Sequence, residues 1–114
     1  MHELSIALSI ADLAAEQARQ AGAALVRAIE LDIGALSGVD TEALNFAMDI
    51  AFKNTLLEEA EIKINHIKAA CECMDCAHEF GAESYLFSCP KCNGSNTRII
   101  RGMEMQLRSL LIED

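Results

Sequence analysis

Four cysteines in two Cys-x-x-Cys pairs, Cys73-Met74-Asp75-Cys76 and Cys89-Pro90-Lys91-Cys92, stand twelve residues apart. Each pair places two sulfurs on one side of a tight turn, and twelve residues suffice for the second turn to fold back on the first. Four thiolates at that spacing are a zinc donor set. With every position taken by sulfur, no coordination site stays open for water or substrate, so the ion is structural and folds the segment around it. Pro90, Asn93 and Gly94 suit the reversal at the second pair. Cys71, two residues before the first pair, reads as a free thiol at a strand end, and His78 and His66 read as bystanders, since four thiolates already satisfy zinc.

A second set of donors stands at the start of the chain. Met1-His2 places an α-amine, a backbone nitrogen and an imidazole where they can close adjacent chelate rings on one ion, a geometry that suits Ni(II) or Cu(II) better than tetrahedral zinc. Taken alone, this tripeptide with Glu3 is also compatible with an ordinary terminus.

The elements that position these donors follow from hydrophobic period. Leu4, Ala7, Leu8, Ala11, Ala14, Ala15 and Ala18 recur at helical spacing, and Gly22 is a natural C-terminal cap. Leu25 to Ile33 reads as a half-buried strand ended by Gly34. Asp40 or Thr41 can N-cap a second helix carrying Leu44, Ala47, Met48, Ala51 and Phe52, running to about Lys53. Glu61 to Lys68 and Thr97 to Ile112 read as strands, the latter long and with a shift of register near Ser109. The expected fold is α+β: a three-stranded sheet backed by two helices, with an inserted four-cysteine zinc module. Residues 1–68 and 97–114 would form an α/β domain that carries the N-terminal donors, and residues 69–96 the zinc-binding module.

Composition limits the function classes. The chain has 114 residues, about one domain, and 52% of them are hydrophobic. A net charge of −9 repels a phosphate backbone, which opposes nucleic acid as a partner. Glu3, Asp12 and Glu16 interrupt the first apolar stretch, so no signal peptide or membrane span is expected. A cytoplasmic location follows, where thiols stay reduced and paired cysteines hold metal. No HExxH motif or Ser/His/Asp order suggests an enzyme, and a zinc-ribbon protein-interaction module is one reading the four cysteines permit.

Three features converge: Met1-His2-Glu3, the loop Ile33-Gly34-Ala35-Leu36-Ser37-Gly38-Val39-Asp40, and the two cysteine pairs, in this order and at these distances. Over essentially its whole length the chain resembles the HypA/HybF nickel metallochaperones of NiFe-hydrogenase maturation. The resemblance implies transient Ni(II) binding by Met1, His2 and Glu3, with Asp40 as a further ligand, and structural Zn(II) on Cys73, Cys76, Cys89 and Cys92. It also implies a maturation GTPase and the hydrogenase large-subunit precursor as partners, with urease as a further client of some members. Cys71 is not part of the family pattern. The oligomeric state, a homodimer included, stays open.

Overall fold

The computed structural model describes residues 3–82 and 88–114. Eight elements follow in order: α1 (Glu3–Gln20), β1 (Leu25–Gly34), α2 (Thr41–Ala51), β2 (Glu61–Ile67), β3 (Ala70–Cys73), β4 (Glu79–Gly81), β5 (Thr97–Arg101) and β6 (Met105–Glu113). They form two three-stranded sheets, ordered β2-β1-β6 and β4-β3-β5. The chain divides into two compact units, one of residues 1–31, 39–65 and 106–114, the other of residues 32–38 and 66–105.

In the first unit, α1 buries Ile6, Ala7, Ala11, Ala14 and Ala18, and α2 buries Leu44, Ala47 and Met48. The small alanine side chains let the two helices approach closely. Val26, Ile29 and Leu31 of β1, with Phe52 and Leu57, complete this buried apolar set. The expected cap at Gly22 takes a definite form. With φ at +73°, its amide donates to Arg19 O (3.0 Å) and that of Ala23 to Ala18 O (2.9 Å), the paired bonds of a Schellman motif. Of the two expected caps of α2, Asp40 is the one used: its carboxylate accepts from the amides of Glu42 and Ala43. The helix stops at Ala51, slightly before the expected Lys53. Lys53 turns its amide to the nearer carbonyl of Ile50, and Asn54 then takes a φ of +63°.

Two differences from the sequence reading follow. The strand expected over Thr97 to Ile112 is two strands, β5 and β6, which pair in different sheets. The break falls at Gly102. Its φ is +114°, and a Cβ there would stand 2.7 Å from Ala69 Cα, so the chain passes through a crossing that only glycine fits. Glu104 Oε1 accepts the Gly102 amide (2.7 Å), and Gly102 O accepts the Leu36 amide (2.7 Å). Strands β3 and β4, inside the expected metal module, add a small sheet that the sequence reading did not contain. Leu36, Ala69, Cys71 and Ala82, flanked by Phe80 and Ile99, form its apolar core. Among the described residues, no helix is long and apolar enough to cross a membrane.

Candidate metal centre

Two turns of the same construction present the four cysteines. In the first, which follows β3, the Ala77 amide donates to Cys73 O (2.8 Å) and the Cys73 amide to His78 O (2.9 Å). In the second, the Asn93 amide donates to Cys89 O (2.8 Å) and the Cys89 amide to Gly94 O (2.9 Å). The residue after each second cysteine lies in the left-handed region, Ala77 at +63° and Asn93 at +60°. Asn tolerates that conformation, whereas Ala is held there at a cost of about 1–2 kcal/mol. Gly94 has a different reason: a Cβ would lie 3.2 Å from both Cys92 Sγ and Asp75 Oδ2. The turns are tied to each other through Asn96, whose carbonyl accepts from the Met74 amide (2.8 Å) and whose side-chain amide donates to Asp75 Oδ1 (3.4 Å). Across β3 and β5, Arg98 donates twice to Glu72 Oε1, at 3.1 and 2.8 Å.

All four sulfurs lie within 4.8 Å of one another. Cys73 and Cys92 are 3.5 Å apart and Cys76 and Cys89 3.6 Å. A tetrahedron of sulfurs at the usual ~2.3 Å zinc distance has edges of ~3.8 Å, so the cluster fits one four-coordinate ion with little rearrangement. Its electrostatics point the same way. Burial acts to raise the Cys89 thiol, but the amides of Cys92 and Lys91 and the neighbouring thiols overcome it and bring it down to about 7. The Gly94 amide favours the Cys92 thiolate, yet the surrounding thiols and burial push that group up to about 12. Cys76, helped by the His78 amide, is likewise raised by burial and its neighbours. Sulfurs this crowded ionise together only around a cation. Among the described residues this is the one group of three or more His, Cys, Asp or Glu side chains so arranged.

Cys71 lies outside the cluster. It is fully buried in the apolar core, opposite Phe80 and Ile99, and burial raises its thiol. His78 stacks on Phe80, with ring centroids 6.2 Å apart, and His66 is exposed on β2.

Of the expected nickel donors, Met1 and His2 lie outside the described residues. The other two meet. Glu3, in the first turn of α1, accepts the Asp40 amide on Oε2 (3.2 Å), so the starts of both helices come together with two carboxylates. Asp40 Oδ1 is already engaged as the N-cap, accepting from Glu42 N (3.0 Å) and Ala43 N (3.2 Å). The sequence reading had both residues but neither the contact between them nor the capping duty as a competitor for the carboxylate.

A family described as "Hydrogenase/urease nickel incorporation, metallochaperone, hypA" matches residues 1–112. The chain is similar to the hydrogenase maturation factor HypA of Parabacteroides distasonis, at 42% identity over 113 residues covering 99% of this chain and 98% of that one. It is similar also to the factor of the same name from Prosthecochloris aestuarii, at 39% identity over 113 residues covering 99% and 100%. Among solved structures, the solution structure of the Ni metallochaperone HypA from Helicobacter pylori matches with a TM-score of 0.72 at 30% identity, covering 99% and 98% of the two chains. A further solution structure of HypA protein matches with a TM-score of 0.76, also at 30% identity, covering 98% and 96%.

Proposed function

The chain belongs to the HypA family of nickel-incorporation metallochaperones for hydrogenase and urease, and from that membership we propose how this chain carries its cargo. Ni(II) is taken up by the α-amine of Met1, the backbone and imidazole nitrogens of His2, and the Glu3 carboxylate, with Asp40 in reach. The observation that supports this most directly is the hydrogen bond from the Asp40 amide to the Glu3 carboxylate, which brings these two acidic residues together at the start of α1. Nitrogen donors suit nickel, and a small open chelate lets the ion leave when better ligands are offered. A closed four-sulfur cage would be a poor carrier.

Zn(II) on Cys73, Cys76, Cys89 and Cys92 is the resident ion and supplies a cross-link between the two turns. Hydrogenase maturation is the setting, in the cytoplasm, with a maturation GTPase and the large-subunit precursor as partners and urease as a further client. Uptake should weaken below neutrality. The α-amine and His2, with reference values of about 7.7–8.0 and 6.5, must lose protons before they coordinate.

The deciding experiment is native mass spectrometry of untagged protein titrated with nickel, which counts nickel and zinc separately. His2→Ala, or an uncleaved N-terminal tag that turns the amine into an amide, should remove specific nickel uptake and leave zinc unchanged. In cells the His2 variant should yield hydrogenase lacking nickel, partly rescued by excess nickel. A His2 variant that binds nickel like the parent and matures hydrogenase normally would sink this mechanism.

A further inference from the structure

The four sulfurs are not equivalent toward solvent. Cys73 and Cys89 are 0% exposed, whereas Cys76 and Cys92 reach the surface. Each outward sulfur lies against a buried sulfur of the other pair, Cys76 on Cys89 at 3.6 Å and Cys92 on Cys73 at 3.5 Å. A disulfide measures about 2.05 Å, so either contact becomes a bond by a closure of roughly 1.5 Å.

We propose that the cluster is a thiol switch, in which a hydroperoxide oxidises Cys76 and Cys92 and each then bonds to the buried cysteine of the opposite pair, forming Cys76–Cys89 and Cys73–Cys92 with release of zinc. An outward thiolate attacks a peroxide oxygen, giving a sulfenic acid and hydroxide for hydrogen peroxide. The buried thiolate then attacks that sulfur, forming the disulfide and expelling a second hydroxide. Four thiolates and two peroxides thus yield two disulfides and four hydroxides. Both bonds join one turn to the other, so they replace the cross-link that the metal supplied. Disulfides within each pair would supply no covalent link between the turns. Cys71, enclosed by Leu36, Ala69, Ala82, Phe80 and Ile99, is shielded and remains a thiol.

The release of zinc rests on the four-thiolate reading above, whereas the pairing is tested independently of it. The reduced full-length chain, loaded with zinc, is treated with hydrogen peroxide while free zinc, free thiols and non-reducing peptide maps are followed. Zinc should leave in step with the loss of four of the five thiols, the map should show Cys76–Cys89 and Cys73–Cys92, and a dithiol reductant should restore zinc binding. A Cys71→Ser variant should give the same map. Disulfides within the pairs, bonds between chains, sulfinic acids in place of disulfides, or zinc retained while the thiols disappear would each overturn the proposal. If the reduced chain takes up no zinc, the metal reading fails, and the map of the oxidised metal-free chain still decides the pairing.

Discussion

Asp40 caps α2 and is a proposed nickel donor, and one pair of substitutions tests the two roles. Its side chain caps α2 by accepting two amide hydrogen bonds, at 3.0 and 3.2 Å, and its charge sits at the positive end of the helix dipole. The bond from its own amide to Glu3 is made by the main chain and survives any substitution except proline. Asparagine keeps an oxygen acceptor and caps as well as aspartate, so Asp40→Asn should lose only the charge contribution, about 0.3–1 kcal/mol. Asp40→Ala loses the acceptor as well and should cost about 1–2 kcal/mol in all. At roughly 4 °C per kcal/mol for a chain of this size, the alanine variant should melt about 4–8 °C lower and the asparagine variant less than about 4 °C lower. Thermal unfolding followed by helical circular dichroism, with nickel titrations on the same samples, provides the comparison. Nickel affinity should fall only a few-fold in both, because the carboxylate adds one hard donor to a nitrogen-rich site. Equal destabilisation by Asn and Ala would refute the capping argument. Complete loss of nickel with an unchanged melting point would make Asp40 a principal ligand in place of a cap.

Cys73→Ala should reduce zinc from about one ion per chain to almost none by metal analysis, while the helical signal from α1 and α2 persists; full zinc occupancy would contradict the four-thiolate assignment. Gly34→Ala should cost more than about 4 kcal/mol or prevent folding, because its Cβ would fall on the Gly102 carbonyl and 2.7 Å from the Met103 nitrogen. At Gly38 (φ +79°) no heavy atom lies within 4 Å of the added Cβ, so alanine there should cost only about 1–2 kcal/mol, and urea midpoints separate the two cases. Hydrogen bonds from Asn65 (2.7 Å) and Ser109 (3.0 Å) hold the Glu30 carboxyl below its usual range, aided by Lys63 and Arg108. A depressed native value stabilises the fold above the unfolded pKa and loses that contribution as pH falls through the native one. Glu30→Gln should therefore be less stable than the parent at neutral pH, with the gap closing below about pH 4, and a gap independent of pH would refute this.

Where local chemistry alone decides a feature, the sequence was enough. The alanine stripe of α1, the Gly22 cap, the Asp40 cap and the two cysteine turns each depend on residues within about one turn of one another. What it did not disclose is long-range. The alternation around Ile99, Met103, Met105 and Leu107 continues across Gly102 as if through one strand, and nothing local says that Ala69 passes at that point. Cys71 reads as a strand-end thiol because it stands two residues before the first cysteine pair. Its burial is set by Phe80 and Ile99, which face it only once β4 and β5 pair with β3. The proposed nickel donors are a second case. Glu3 and Asp40 are 37 positions apart, and what joins them is one hydrogen bond, from the Asp40 amide to the Glu3 carboxylate. Asp40 Oδ1 is occupied by the α2 amides, so nickel binding through that oxygen would compete with helix capping, and loading and release of the ion would then register in the stability of the first turn of α2.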